Sequence, residues 1–327
     1  MADVVYFPGL VPTTFATIET YLRTDIYARA RLREADEVLG YSLVDAYRDA
    51  EVYDWEVYEA GVLALSLALA DWADDNLDLD PVAFGGQSFG AIVGAVWAGV
   101  LPYPDALRLV RESTRVELDW FGSRPAPLGC FFFYRLDAVT VDGLIARARA
   151  EGHVVEGSIY LDNSVHAVSG TSTGLDRMRE LVAEAGGHAF YSMNRAEHCS
   201  LVQGLRDRLA AEVYRDLRWF RSSLPMLSDV SGALLTDPDD IRDDLLDGWV
   251  TPVHWAAVSA AIRRAGADRA VVIGPRTMFG RLTQRTVPTA VLTPRSVLEH
   301  PATAFRLPAP AGAARVPAVA AASGGAR

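Results

Sequence analysis

The residues best placed to do chemistry are Gly86-Gln87-Ser88-Phe89-Gly90. A serine between two glycines, after the short apolar run Pro81 to Gly85 and before helix-periodic sequence from Ala91, is the pattern of a nucleophile held on a sharp strand-to-helix turn. The glycines tolerate a strained backbone. The helix N-terminus offers N–H groups and a dipole to a developing oxyanion. A serine hydroxyl also needs a base. His153, His166, His188, His198, His254 and His300 are the candidates, and periodicity separates none of them. His198 stands just ahead of a helix, in Asn194-Arg195-Ala196-Glu197-His198-Cys199-Ser200, where the chain changes rhythm; such a loop suits a catalytic side chain.

Positioning that pair calls for an α/β framework. Val4 to Phe7 reads as a buried strand ending in the loop Pro8 to Pro12, and one long helical tract runs from about Phe15 to Trp72. With the strand at Pro81 to Gly85 and a helix from Ala91 to about Asp119, alternation implies a mostly parallel sheet. The pattern then changes. Strands at Cys130–Tyr134, Ser158–Leu161, His166–Val168 and Ala189–Met193 are interleaved with helices at Val141–Glu151 and Gly174–Ala185, the β-α-β-β-α-β order of a ferredoxin-like unit. The expected fold is therefore an α/β-hydrolase-like large subdomain, residues 1–122 and 194–300, with a ferredoxin-like small subdomain inserted at 123–193. Helices at Leu201–Trp219, about Asp239–Leu246 and about Ala256–Ala265 and a strand at Ala270–Ile273 follow the insertion. Residues 301–327, rich in Pro, Ala and Gly, are expected to form a disordered tail, because such sequence buries too little apolar surface to offset its ordering entropy.

Composition narrows the function. Half of the 327 residues are hydrophobic and 22% are charged, as in a globular enzyme. The net charge of −11 argues against nucleic-acid binding, which draws on massed Lys and Arg. The two cysteines, Cys130 and Cys199, have neither metal-ligand spacing nor a disulfide framework, and no metal is expected. The N-terminus runs straight into an apolar strand without a basic leader, and the apolar stretch Gly61 to Ala70 is too short to span a bilayer, so a cytoplasmic protein is expected.

In these residues the chain resembles the malonyl-CoA:acyl carrier protein transacylases and the acyltransferase domains of modular polyketide synthases. The resemblance covers about residues 4 to 286. Phe7-Pro8-Gly9 is similar to the family's opening motif and Gly86 to Gly90 to its serine motif. Ala98-Gly99-Val100-Leu101 with Asp105-Ala106-Leu107-Arg108-Leu109-Val110 resembles the helix pair after the nucleophile. His198-Cys199-Ser200-Leu201-Val202 is similar to the segment carrying the catalytic histidine, and Val272-Ile273-Gly274-Pro275 to the closing element. The resemblance implies a ping-pong transfer in which Ser88 takes an acyl group from a thioester and His198 serves as base in both halves. It implies an oxyanion hole from the backbone N–H groups of Leu10 and Phe89, and a main-chain carbonyl between Gly248 and His254 to orient the histidine. No bound cofactor is implied. The donor is an acyl thioester on CoA or on carrier-protein phosphopantetheine, and the partners are acyl carrier proteins.

Departures from the family pattern bear on the substrate. Relatives that take malonyl groups hold the free carboxylate with an arginine on the helix after the nucleophile; that position here is Ser113. The family's pocket glutamine aligns with Glu59, the histidine before the nucleophile with Gln87, and the selectivity tetrapeptide reads Arg195-Ala196-Glu197-His198. A malonyl carboxylate would be desolvated without its usual cation. The pattern suits an acyl group lacking a carboxylate, including one whose amine pairs with Glu59, as moved by discrete family members in macrolactam pathways. The alternative is a malonyl-type transacylase in which Arg195 has taken over the carboxylate. Arg206, Arg208, Arg276, Arg281 and Arg285 lie in segments near the catalytic motifs and form the expected docking set for an acidic carrier protein. Three rivals share parts of this sequence: an α/β-hydrolase with Asp162 as acid, an editing thioester hydrolase on the same scaffold, and a non-enzymatic scaffold.

Overall fold

A computed structural model describes residues 2–299 except Val11, Val52, Asp162, Asn163 and Thr277, together with Phe305, Leu307 and Pro308. Its strands are β1 (Asp3–Phe7), β2 (Pro81–Gly86), β3 (Leu128–Tyr134), β4 (Val155–Tyr160), β5 (Val165–Thr171), β6 (His188–Met193), β7 (Met226–Leu227), β8 (Leu234–Leu235), β9 (Val253–His254), β10 (Arg269–Ile273) and β11 (Thr289–Leu292). They form two sheets. The larger has the order β11-β10-β1-β2-β7-β8 and is parallel except for β8. Period-2 alternation makes it two-faced. On β1, Val5 and Phe7 enter one apolar cluster with the helix Trp55–Asn76, while Val4 and Tyr6 enter a second cluster with Trp255 and Val258. Both faces are covered, so its central strands read as unbroken apolar runs.

The smaller sheet has the order β6-β3-β5-β4-β9. Its first four strands, with helices Ala138–Ala150 and Ser172–Glu184 between them in sequence, have the ferredoxin-like arrangement. The fifth comes from outside the insertion. Val253 and His254 pair in parallel with Ile159 and Tyr160, so the returning chain adds a strand to the small sheet before entering the helix Trp255–Arg264 beside the large one. One apolar cluster holds residues of both sheets, among them Ala83, Ile159, Val253 and Val272.

Several expected helices are divided. The tract from Phe15 to Trp72 is four helices, Phe15–Thr24, Ile26–Leu39, Leu43–Asp49 and Trp55–Asn76. Asp25 caps the second by accepting from the amides of Tyr27 and Ala28; Gly40 ends it at φ 81°, and Ser42 starts the next. The tract from Ala91 is likewise two helices, Phe89–Trp97 and Tyr103–Gly122, parted at Gly99 (φ 74°) and Pro102. The helix expected over Leu201–Trp219 spans only Gln203–Glu212, between short 3-10 turns. Of the segment read as a disordered tail, Phe305 meets the Trp72 ring at 6.1 Å and Leu307 contacts the main core; most of 301–327 lies outside the described residues, as does Asp162.

Candidate active site

The turn after β2 carries Ser88 at φ 55° and ψ −122°, a region costing a non-glycine residue on the order of 1–3 kcal/mol. Its neighbours explain the two glycines. A Cβ on Gly86 would lie 2.0 Å from the Gly90 carbonyl carbon, and one on Gly90 would lie 2.1 Å from the Phe7 oxygen. Only glycine lets the turn close this tightly against β1. Ser88 thereby sits at the start of the helix Phe89–Trp97, whose first amides lack intrahelical acceptors.

His198 belongs to the loop after β6, also at positive φ (54°). Ser169 of β5 latches that loop: its hydroxyl donates to the Glu197 carbonyl at 2.8 Å and accepts from the Glu197 amide at 3.2 Å. The imidazole Nδ1 lies 2.5 Å from the Gly248 carbonyl oxygen. A carbonyl can only accept, so Nδ1 carries the proton and Nε2 is left as an acceptor. Nε2 lies 2.9 Å from Ser88 Oγ. Burial holds the imidazole below its ordinary value, against the opposing pull of Glu197, and so favours the neutral form. This line of three groups can draw the proton from the serine hydroxyl. The orienting partner is a carbonyl and not a carboxylate, unlike the Ser-His-acid arrangement of an α/β-hydrolase. Leu10 and Gln87 line a small cavity with Ser88 and Glu197, which puts the β1 loop at the same sheet end as the Phe89 amide.

No family model matches the chain. It is 25% identical over 292 residues to the malonyl CoA-acyl carrier protein transacylase of Escherichia coli strain K12, covering 86% of this chain and 92% of that one. The Haemophilus influenzae transacylase is 23% identical over 264 residues, 78% and 82% of the two chains. A segment of the non-reducing polyketide synthase Preu3 of Preussia isomera is 30% identical over 180 residues, 52% of this chain and 7% of that one. Among solved structures, the acyl-carrier-protein S-malonyltransferase of Burkholderia pseudomallei superimposes with a TM-score of 0.80 at 23% identity, covering 91% of this chain and 99% of that one. A malonyl-transacylase in complex with a type II PKS acyl-carrier protein does so at 0.77 and 21%, with the same coverage. The chain is homologous to the malonyl-CoA:acyl carrier protein transacylases. These homologues are acyltransferases.

Within this transacylase fold, the cavity beside Ser88 is lined by Glu59, Ser113, Glu117, Arg195 and Glu197. Arg195 is buried and every arm of its guanidinium is engaged. Nη2 donates to Glu59 at 2.6 Å, Nη1 to Glu117 at 2.8 Å and Nε to Glu197 at 2.8 Å. The Trp55 ring lies over it at 4.0 Å, and Trp249 stands 5.7 Å away. Three carboxylates thus share one cation. Burial, only partly offset by Arg195, pushes the Glu117 carboxyl up to about 8 and also raises Glu59. Ser113 faces the same cavity with its hydroxyl buried and unpartnered. Glu59 and Arg195, expected as competing substrate ligands, bind each other, so neither stands as an isolated charge. Glu117 was missed, although its four-residue spacing from Ser113 puts both on one helix face, and so were Asp229 and Asp244, which also line the cavity.

The five arginines proposed for docking are not one bare basic face. Arg206 pairs with Asp247 at 2.8 Å; Arg208 pairs with Asp119 and Glu212, both at 2.6 Å. Arg276 donates to the Pro12 carbonyl at 2.9 Å. Arg281 lies exposed on the helix Met278–Thr283, and Arg285 follows it. Cys130 and Cys199 are free and buried, and burial pushes each thiol up to about 12. Among the described residues no acid, His and Cys cluster suits a metal, and no helix is long and apolar enough to cross a membrane.

Proposed function

We propose that the chain is an acyltransferase that moves an acyl group between CoA or carrier-protein thioesters, through an ester on Ser88. The observation that carries this reading is the hydrogen-bonded line Ser88 Oγ, His198 Nε2, His198 Nδ1, Gly248 O, within a fold shared with transacylases. Ser88 Oγ attacks the thioester carbonyl carbon as its proton passes to His198 Nε2. The amides of Leu10 and Phe89 receive the oxyanion. As the C–S bond breaks, His198 returns the proton to the departing sulfur. The acceptor thiol then loses its proton to the same nitrogen, its sulfur attacks the ester, and Ser88 recovers the hydroxyl. The partner is an acyl carrier protein, and the polyketide synthase relative favours a polyketide-type pathway.

The acyl group lacks a free carboxylate. Support comes from Arg195, each of whose three nitrogens already donates to a glutamate, and from Ser113 at the position where the resemblance calls for arginine. A malonyl carboxylate would meet an acidic cluster whose one cation is already shared. An acyl group bearing an amine would instead meet surplus negative charge at Glu59 and its neighbours. The experiment is intact-mass measurement after incubation with a panel of malonyl, neutral and aminoacyl thioesters, with and without carrier protein. A mass increment lost in Ser88→Ala names the acyl group. Turnover that is unaffected by carrier protein and yields free acid would make the chain a hydrolase instead.

A further inference from the structure

The amide of Ser88 does not join the backbone ladder. The Gln87 amide, one residue earlier, donates to the Phe7 carbonyl of β1 at 3.0 Å. The next amide belongs to Ser88 and donates instead to Oδ2 of Asp229 at 2.7 Å. Asp229 follows β7, which pairs in parallel with β2 through Phe84 with Met226 and Gly85 with Leu227. Each chain runs two residues past its strand, and there the carboxylate supplies the acceptor that a carbonyl supplies within the ladder. Asp229 is 5% exposed, so little water competes for that amide. A buried amide without an acceptor is costly, and Ser88 already occupies a strained backbone region.

We infer that Asp229 is a positioning residue for the nucleophile: by accepting from the Ser88 amide it holds the turn at the backbone angles that direct Oγ to His198. This rests on the reading of Ser88 as nucleophile. Among the described residues four hydrogen bonds from main-chain amides fix the turn, and Asp229 accepts the one from the nucleophile's own N–H. The others run from the Gln87 amide to Phe7, from the Gly90 amide to Gln87 at 2.9 Å and from the Ala91 amide to Ser88 at 2.9 Å. All three are backbone bonds. The Asp229 bond is therefore the one a side-chain change can remove. Burial pushes this carboxyl up to about 7, against the pull of the Ser88 amide, and its oxygen can accept in either protonation state. Asp244 and Tyr6 are the titratable groups facing it.

The test compares Asp229→Asn, which keeps an acceptor oxygen, with Asp229→Leu, which fills similar space without one. Single-turnover acylation and steady-state transfer are measured with one acyl thioester. The leucine variant should lose kcat by roughly 10- to 100-fold with KM little changed, and asparagine should restore most of it. A purely structural role would lower the active fraction of both variants together and leave no such rescue. Wild-type kcat in Asp229→Leu, or equal loss in both variants, overturns the proposal. If leucine does not fold there, Asp229→Ser, too short to reach the amide, replaces it with the same expected loss, and wild-type kcat again overturns the proposal. Ser88→Ala separates the two levels: labelling that survives in that variant removes the nucleophile reading itself, whatever Asp229 does.

Discussion

Arg195 and Glu59 meet at 2.6 Å, with 5% and 7% of their side chains exposed. Each is the other's counterion, although 136 residues of sequence separate them. Because Glu117 and Glu197 crowd the same guanidinium, acidic groups outnumber the one cation in this cluster, and removing one of them changes what the cavity accepts.

Substrate preference follows from that balance. Glu59→Gln should free part of the Arg195 fork, and combined with Ser113→Arg should move preference toward malonyl thioesters, by about 10- to 100-fold. Competition between malonyl and neutral or aminoacyl thioesters measures this in wild type and variants. A wild-type enzyme that already prefers malonyl would return Arg195 to the role of carboxylate ligand. Amine selectivity unchanged by Glu59→Gln would leave a simple non-carboxylated acyl group.

Glu117 gives the cluster a pH signature. Its carboxyl is pushed from 4.5 in the unfolded chain to about 8 in the folded one, by burial first. Between those values the folded state holds the extra proton, so this residue's stabilisation is complete below 4.5 and lost as pH rises through about 8. Glu117→Gln stays neutral throughout. Its melting temperature should gain on wild type between pH 5 and pH 8, by several degrees at the upper end. A difference that stays flat across that range would mean the carboxyl ionises near its ordinary value.

Ser88→Ala should abolish acyl labelling and transfer while leaving the circular dichroism spectrum unchanged. His198→Ala should slow both half-reactions, by about a hundred- to ten-thousandfold, because one nitrogen serves both proton transfers. Stopped reactions with separate donor and acceptor thiols measure each half. Loss of only one half would assign the other to a different base.

Carrier docking is expected to be electrostatic and salt-sensitive. Charge reversal at Arg276 with Arg281 should raise KM for a carrier-protein substrate and leave a small thioester mimic unaffected. Arg206 and Arg208 should have smaller effects, since acidic neighbours already take their charge. Equal changes for both substrates would exclude a docking role.

The sequence by itself determined the parts whose physics is local. Gly86 and Gly90 marked the turn because no Cβ fits there, and the strands β1, β2 and β10 showed as apolar runs because both faces are covered. The ferredoxin-like order was legible from alternating periodicities, while Asp25, Gly40 and Gly99 broke helices that pattern alone ran together. Tertiary structure decided which partners those local pieces meet. The Gly248 carbonyl, one of several candidates in its loop, is selected by how the segment after Asp247 packs against Cys199, whose amide donates to Trp249 O at 3.2 Å. Two-residue strands such as β7 and β9 have no period to detect, yet β7 brings Asp229 to an amide 141 residues earlier in the chain. Likewise a buried carboxylate such as Glu117 reads in sequence as an ordinary helix charge; its unusual state exists only because three separate segments close around one guanidinium and exclude water.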